Sequence, residues 1–363
     1  MISFSNIFEF MSLQQFSLIA SSIILFNILI ISFFSLKNNK SKVFKKYNAE
    51  QRVHTGEISR LGGSAIYIWL FVILIIFEEF SITGHELSKY IYLLLLCFPL
   101  MLVSFIEDLL SNISVKIRFI TMVITAFFVC SFFITSFPDI SNIPIISYFF
   151  QYKSFSVLFF SLCLIALMNG SNFIDGMNGL LSFYLLGVML SCINLSIATG
   201  NVSDSHIIVL LLIGLLCFIL FNYPFGLFFL GDSGAYFLSL ILGVWVIIFF
   251  ANNSYISSWN ACIIFFYPIA EVFYSVIRKL SQKKSPFYPD RFHVHIKIYH
   301  LLNKSIINKK ICNGLTTIFL SFLWLMPPLA LPLVMHSQIA IFLTLILLSA
   351  IYLSLNVFVN DEK

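Results

Sequence analysis

Long apolar runs recur from one end of this chain to the other, and they restrict its fold more than any other feature does. A helix needs about 17–25 apolar residues to cross a bilayer, and backbone groups in lipid must satisfy one another, which favours helices. The chain is 60% hydrophobic and only 10% charged, whereas a soluble domain has about 25% charged residues. The sequence therefore predicts an all-α polytopic integral membrane protein, a bundle of about eleven transmembrane helices. The candidate runs cover residues 15–36, 61–80, 90–106, 117–137, 154–169, 178–199, 206–223, 234–251, 258–278, 313–335 and 337–358.

We interpret residues 1–363 as one transmembrane domain, with polar motifs between about 50 and 300 and two last helices within 313–358. A count of ten helices is the alternative, because the run 154–169 is short. The first run follows no basic region, so we expect a retained span rather than a cleaved leader. The net charge of +5 is too small to indicate a nucleic-acid partner.

Basic residues orient the bundle. In the eleven-span arrangement, all of the 21 Lys and Arg residues except Lys89 and Lys153 fall on one face. The positive-inside rule assigns this face to the cytoplasm, which places the N-terminus outside and the C-terminus inside. Five polar clusters at span ends fall on the same face, so we expect them to form one cytoplasmic site. They are HTGEISRLGG (54–63), EDLLSNISVKIR (107–118), NGSNFIDGMNGL (169–180), FLGDSGAYF (229–237) and PDRFHVHIKIYH (289–300).

Two of the clusters carry acids that suit a divalent cation. Glu107 and Asp108 are adjacent carboxylates just past an apolar span, where ionisable groups are costly and usually functional. They suit Mg²⁺ or a general base, and a solvated pair at a helix end is the alternative. Asp232 follows Gly231 and precedes Gly234, and glycines allow close approach to a ligand. Asp232 suits either Mg²⁺ or the N-terminus of the next helix.

The remaining clusters add amides and cations. Asn169, Asn172 and Asp175 have the i, i+3, i+6 spacing that lines one helix face, although a helix C-cap also explains polar residues there. His293 and His295 accompany basic residues, which suits phosphate contact, with a zinc site or a solvated loop as alternatives. Carboxylates that bind Mg²⁺, cations that bind phosphates and glycines that allow close approach are together typical of sites for phosphoryl transfer. A site at a membrane surface suits a reaction between one soluble phosphate substrate and one lipid phosphate substrate.

The five motifs resemble those of the polyprenyl-phosphate N-acetylhexosamine-1-phosphate transferases (glycosyltransferase family 4), in the family order over about residues 50–300. NGSNFIDGMNGL matches NxxNxxDGxxGL, FLGDSG matches FxGDxG, and PDRFHVHI matches PDRxHxHH; RLGG and IEDL match two further elements. The resemblance implies transfer of N-acetylhexosamine-1-phosphate from a UDP-sugar to undecaprenyl phosphate, releasing UMP, at the bacterial cytoplasmic (inner) membrane. It implies Mg²⁺ as cofactor, with Mn²⁺ as a substitute, and it allows a homodimer.

The resemblance also implies roles for individual residues. Asn172 and Asp232 correspond to metal-associated positions. The implied catalytic residues are Glu107, Asp108, Asp175, His293 and His295, with Asp108 deprotonating or positioning the lipid phosphate. Phe229 corresponds to a position that stacks on uracil, and Asn178 to one that contacts the uracil edge. The implied substrate-binding residues are Arg60, Lys116, Arg118, Asn169, Gly176, Asn178, Phe229 and Arg291.

Three positions depart from the family pattern: Glu107 and Asn178 each replace an aspartate, and Ile296 replaces the third histidine. The missing histidine favours the branch that begins O-antigen or other surface polysaccharide synthesis. The alternative within the family is a phospho-N-acetylmuramoyl-pentapeptide transferase of peptidoglycan synthesis. A multi-pass transporter is the alternative outside it, although the polar clusters lie at helix ends rather than mid-membrane.

Overall fold

The computed structural model describes residues 23, 26–27, 58–79, 88–140, 148–201, 205–285, 292–305 and 308–358, and the regular secondary structure in this part of the chain is helical. The one exception among these residues is an isolated parallel bridge between Ser59 and Phe228. The prediction of an all-α fold is therefore confirmed. The helices are α1 (Gly62–Glu79), α2 (Ser88–Leu110), α3 (Val115–Phe128), α4 (Lys153–Ile174), α5 (Leu180–Thr199), α6 (His206–Asn222), α7 (Gly231–Asn252), α8 (Asn260–Ile264), α9 (Phe266–Ser281), α10 (Val294–Ser305), α11 (Lys309–Phe319), α12 (Ser321–Val334) and α13 (Gln338–Phe358).

Seven helical segments in the described part of the chain are long and apolar enough to cross a membrane. Two shorter apolar helices, Gly62–Glu78 and His206–Asn222, accompany them. The chain is therefore a multi-pass membrane protein. The first predicted span, 15–36, lies outside the described residues except at three positions, so the count of eleven stays a prediction. The seven segments are Lys89–Leu110, Val115–Phe133, Lys153–Ile174, Leu180–Thr199, Gly231–Asn252, Ile311–Val334 and Gln338–Phe358.

Helix α7 is the centre of the bundle. It is apolar around its whole circumference, and 89% of its most apolar stretch is buried, against 22% for α13. A helix that is hydrophobic on every side is stable only when other helices or lipid surround it. Helix α7 packs against α1, α2 and α4, and residues at the ends of these helices form hydrogen bonds at the start of α7.

The structure corrects the predicted span 258–278. Its residues form the short helix α8 and the separate helix α9, which meet at Phe265 in a non-helical conformation (φ −101°, ψ 18°). Helix α9 is amphipathic and carries Glu271, Ser275 and Lys279 as buried polar residues, which explains why it does not behave as one uniform apolar span. The predicted tenth span is likewise interrupted, at Leu320, between α11 and α12.

Glycines allow α1 and α7 to touch backbone to backbone. A Cβ atom added to Gly63 would lie 2.0 Å from the Cα of Gly234. The backbone N–H groups of Gly62 and Gly63 donate to the carbonyls of Phe229 and Leu230 at 3.1 and 2.9 Å. The start of α1 is thereby fixed to the start of α7, which brings the RLGG and FLGDSG motifs together.

Candidate active site

Two guanidinium groups converge on the carboxylate of Asp232, the second residue of α7. Arg60 Nη2 lies 3.1 Å from Asp232 Oδ1, and Arg118 Nη1 contacts Oδ2. The Asp232 side chain is 1% exposed, whereas the Arg60 side chain is 41% exposed. The site therefore pairs the buried carboxylate of Asp232 with two guanidinium groups that are more exposed to solvent.

Asp108 and Asp175 hold the turn that carries Asp232. The Asp108 oxygens accept from the N–H groups of Asp232 and Ser233, each at 2.9 Å. Asp175 Oδ2 accepts from the N–H of Gly231 at 2.8 Å. Gly231 has a φ of +73°, and a Cβ there would meet the carbonyl of Arg60 at 2.1 Å, so only glycine fits. Both acids thus act on the conformation of this turn.

Asn172 and Asp232, the two predicted metal-associated residues, share one neighbour. Asn172 Nδ2 donates to the hydroxyl of Tyr236 at 2.8 Å. The Tyr236 hydroxyl in turn donates to Asp232 Oδ2 at 3.5 Å. Tyr236 stands four residues after Asp232 on α7, so both project from one helix face. The structure therefore places the amide and the carboxylate on two sides of one phenol.

Glu107 lies at the edge of this cluster. Its Oε2 accepts from the N–H of Ile113 at 2.7 Å, which closes the turn between α2 and α3. Its Oε1 lies 3.9 Å from Arg118 Nη1. With a glutamate at this position, the longer side chain reaches both the turn and the guanidinium group.

A second cluster surrounds His293 and His295. Their rings lie parallel, with 5.6 Å between the centroids and an interplanar angle of 6°. His293 Nδ1 lies 2.9 Å from Glu271 Oε2, and both side chains are buried. His295 is also buried, which lowers its pKa to about 3, so this imidazole is neutral at physiological pH.

The C-terminal end of α4 connects the two clusters. The ring of Phe173 lies 4.8 Å from that of His293, and a Cβ added to Gly176 would lie 3.3 Å from His295 Nε2. Between them, Asp175 bonds to the Asp232 turn. The NGSNFIDGMNGL segment therefore contacts the acid cluster and the histidines at once.

Asn178 is buried, and its polar groups are held by other parts of the chain. Its backbone N–H donates to Asn313 Oδ1 at 2.5 Å, and its carbonyl accepts from the Thr317 hydroxyl at 2.7 Å. Its side-chain Nδ2 donates to the carbonyl of Pro224 at 2.9 Å, while its Oδ1 is buried without a partner. The uracil contact stays a prediction and would use this Oδ1 first.

The other predicted site residues differ in their surroundings. Phe229 is buried, with its N–H donating to the Ser59 carbonyl at 2.8 Å. Asn169 is half-buried one turn before Asn172, and Lys116 is exposed in the first turn of α3. Arg291 lies outside the described residues, so its predicted role has no structural counterpart here.

The acids of the site fit a magnesium ion that is bound partly by the protein and partly by substrate. Among the described residues, no three His, Cys, Asp or Glu side chains are placed to enclose a metal ion by themselves. Mg²⁺ usually takes one or two protein carboxylates and completes its shell with water and substrate phosphates. If ionised, the four acids around Arg60 and Arg118 leave two negative charges unbalanced, which a divalent cation would neutralise. The four acids are Glu107, Asp108, Asp175 and Asp232.

Four residues in these hydrogen-bond networks were not predicted from the sequence as site residues. Glu271 gave a usable signal, because it is an acid within an apolar run. Tyr236 also gave one, because it stands one helical turn after Asp232. Asn313 and Thr317 gave none, because they lie in a segment that reads only as the start of a transmembrane helix.

Fold and site together define a multi-pass membrane protein whose helix ends form a polar site of acids, arginines and histidines. Residues 90–250 match the family described as glycosyl transferase family 4. An undecaprenyl-phosphate alpha-N-acetylglucosaminyl 1-phosphate transferase of Thermotoga maritima is 30% identical over 149 residues, which cover 41% of this chain and 44% of that protein. A "probable undecaprenyl-phosphate N-acetylglucosaminyl 1-phosphate transferase" of Bacillus subtilis is 21% identical over 254 residues, which cover 69% of this chain and 68% of that protein.

The segment 90–250, which matches the glycosyl transferase family 4 model, carries three of the five motifs. The resemblance to the polyprenyl-phosphate N-acetylhexosamine-1-phosphate transferases is thereby confirmed. The chain spans less than half the length of the Thermotoga protein.

Proposed function

We propose that this protein transfers N-acetylhexosamine-1-phosphate from a UDP-sugar to undecaprenyl phosphate, giving a polyprenyl-diphospho-sugar and UMP. The observation that carries the proposal is the buried Asp232 carboxylate between Arg60 and Arg118 at the end of a membrane helix. Guanidinium groups match phosphate oxygens in geometry, and carboxylates suit Mg²⁺. A site at the end of a membrane helix would be reached from both lipid and water, as transfer between a soluble donor and a lipid acceptor requires.

In the proposed reaction, an oxygen of the lipid phosphate attacks the β-phosphorus of the UDP-sugar. The bond from that phosphorus to the oxygen bridging it to the UMP phosphate breaks, and UMP leaves with the electron pair. Asn172 and Asp232 would hold Mg²⁺, which when bound neutralises charge on the transferred phosphate. Arg60 and Arg118 would exchange their contacts with Asp232 for phosphate oxygens.

The three remaining acids have different parts in this proposal. Asp108 has both oxygens bonded to backbone N–H groups, so it positions Asp232 rather than accepting a proton from the lipid phosphate. Asp175 is half-buried, and only its Oδ2 bonds to Gly231. Asp175 is therefore the acid that would take a proton when the acceptor phosphate arrives protonated, and Glu107 would act beside it through its contact with Arg118.

The other predicted residues would bind the donor and the acceptor. His293, His295 and Arg291 would hold the diphosphate and the sugar, and Lys116 the lipid phosphate. Phe229 and Asn178 would contact uracil, Gly176 would let the chain approach the nucleotide, and Asn169 would face the region of Mg²⁺ and the diphosphate. We place the site on the cytoplasmic side of the bacterial inner membrane, with the N-terminus outside and the C-terminus inside, because the eleven-span arrangement puts nearly all Lys and Arg on that face. The product would begin O-antigen or another surface polysaccharide, and a homodimer is compatible with this function.

The test is UMP release by the purified protein with undecaprenyl phosphate, Mg²⁺ and a panel of UDP-sugars: GlcNAc, GalNAc, QuiNAc, FucNAc and MurNAc-pentapeptide. We expect release with at least one simple N-acetylhexosamine donor, loss of activity with a chelator, recovery with added Mg²⁺ and partial recovery with Mn²⁺. Activity with the pentapeptide donor alone would indicate a phospho-N-acetylmuramoyl-pentapeptide transferase of peptidoglycan synthesis. No release with any donor would overturn the proposal in favour of transport.

A further inference from the structure

Glu271 is an acid inside the protein at a place where the proposed reaction gives it no role. It lies on α9 and is 1% exposed. A buried carboxylate is costly unless hydrogen bonds and charge compensate it. The contacts of Glu271 therefore indicate why the fold retains it.

Both carboxylate oxygens of Glu271 act on the first residues of the histidine motif. Oε2 lies 2.9 Å from His293 Nδ1. Oε1 accepts from the backbone N–H of Val294, the first residue of α10, at 3.2 Å. One side chain thus fixes the start of the α10 backbone and the imidazole next to it.

This contact decides which nitrogen of His293 faces the site. An ionised carboxylate only accepts hydrogen bonds, so Nδ1 must carry a proton and donate it. Nε2 is then the nitrogen left for other partners. The ring cannot turn freely, because Phe173 packs at 4.8 Å and the ring of His295 lies parallel at 5.6 Å.

Phe173 and Asp175 place this ring close to the acid cluster. Phe173 directly follows Asn172, and Asp175 bonds to the turn of Asp232. An imidazole held against Phe173 therefore lies beside the segment that would meet the diphosphate.

We propose that Glu271 is a positioning residue: it holds His293 with Nδ1 protonated, so that Nε2 is presented to the phosphate groups of the donor. This inference rests on the proposed function and adds a residue outside the segment that matches the family. Glu271 acts through His293 and does not itself touch substrate. Partners of this kind, behind a ligating or reacting histidine, change activity by about 10–100-fold when removed.

The experiment compares Glu271→Gln in two backgrounds. Gln has nearly the same shape but removes the charge and can donate to Nδ1, which favours the other tautomer. His293→Asn retains an N–H group near the Nδ1 position and lacks Nε2. We expect Glu271→Gln to lower kcat about 10–100-fold in the wild-type background with little change in KM, and to have less than about a threefold effect in the His293→Asn background.

Ser275→Ala is the matched control, since Ser275 is buried one turn further along α9, and we expect near wild-type kcat from it. Equal losses of kcat from Glu271→Gln in both backgrounds would show that Glu271 acts independently of His293 and would overturn the inference. Wild-type kcat in Glu271→Gln would overturn it as well. Should Glu271→Gln not fold, Glu271→Asp replaces it, and wild-type kcat there would contradict the need for a carboxylate at this distance.

A second measurement does not depend on activity. In protein labelled with ¹⁵N-histidine, the His293 signals, assigned by their loss in His293→Asn, should show a proton on Nδ1, and Glu271→Gln should move it to Nε2. An unchanged tautomer in Glu271→Gln would contradict the inference. A wild-type protein that releases no UMP but shows the expected tautomer would instead contradict the proposed function alone.

Discussion

The hydroxyl of Thr317 donates a hydrogen bond to the backbone carbonyl of Asn178, with 2.7 Å between the two oxygens. One turn earlier on α11, Asn313 accepts from the N–H of the same residue. Helix α11 thus forms hydrogen bonds with both peptide groups of Asn178. This helix lies beyond residues 90–250, the segment that matches the family. The loop proposed to bind the nucleotide therefore depends on a helix near the C-terminal end.

Thr317→Val should raise the KM for the UDP-sugar and leave the KM for the lipid phosphate nearly unchanged. The change removes one buried hydrogen bond, worth about 1–2 kcal/mol, or roughly 5–30-fold in binding. Thr316→Val is the matched control, because Thr316 is equally buried but bonds only to the carbonyl of Cys312 in its own helix. Equal KM values for the two variants, measured by UMP release, would refute the link between α11 and the nucleotide.

Asp232→Asn should reduce UMP formation by about 10²–10³-fold or more, while the protein keeps its fold. The variant keeps the shape of the side chain but removes the charge that attracts Arg60 and Arg118, and electrostatic groups of this kind contribute that much to rate. Asp139→Asn, at an exposed acid away from the site, should retain full activity. Size-exclusion profiles in detergent report whether both variants are folded, and full activity in Asp232→Asn would remove the basis of the site.

Asp108→Asn should also abolish activity, but together with a loss of stability. Asn offers one carbonyl oxygen where Asp108 accepts from two backbone N–H groups. One buried donor is then left unsatisfied, at a cost of about 1–3 kcal/mol. The midpoint of thermal unfolding should therefore fall in Asp108→Asn more than in Asp232→Asn. A stable but inactive Asp108→Asn protein would favour the originally expected role for Asp108 at the lipid phosphate.

The sequence predicted the fold class and the convergence of motifs because both depend on strong, local signals. Apolar runs of membrane length are read directly from the chain, and polar residues at helix ends stand out against them. The break at Phe265 could not be read in this way, since the residues directly next to it, Ile264 and Phe266, are apolar. Tertiary packing brings Glu271 of α9 to the start of α10.

The sequence did not predict which side chains bond to one another in the candidate site. The role of Asp108 at the lipid phosphate stays a prediction, and nothing in the sequence indicated that its oxygens bond to Asp232 and Ser233, more than 120 positions away in the chain. The bond from Asn178 Nδ2 to the carbonyl of Pro224 was likewise not predicted. Such contacts follow from how α2, α4 and α7 meet, and no periodicity encodes that geometry.

Gly63→Ala should destabilise the protein strongly, because the new Cβ would lie 2.0 Å from backbone atoms of Gly234. Backbone cannot move aside as a side chain can, so the cost should reach about 1–3 kcal/mol or more. Gly314→Ala is the control: it is a helical glycine whose added Cβ meets Tyr223 at an ordinary 3.4 Å. Gly314→Ala should be neutral or stabilising by up to about 1 kcal/mol. Equal unfolding midpoints for the two variants would contradict the close contact between α1 and α7.

His295 should make the protein less stable as the pH falls below about 6.5. Burial lowers its pKa in the folded protein to about 3, whereas an unfolded histidine has a pKa of about 6.5. Between these values the unfolded chain binds a proton that the folded protein does not, so the free energy of unfolding falls as pH falls. At about 1.4 kcal/mol per pH unit, the loss from pH 7.5 to pH 5 amounts to about 2 kcal/mol.

The measurement is thermal unfolding of wild-type protein and His295→Gln at both pH values. Glu271 and His293, the titratable groups that interact with His295, are present in both proteins, so their own titration largely cancels. The stability advantage of the wild type over His295→Gln should therefore shrink by about 2 kcal/mol at the lower pH. If this stability difference is the same at pH 7.5 and pH 5, His295 becomes protonated in the folded state. The prediction that its imidazole stays neutral beside Gly176 would then be wrong.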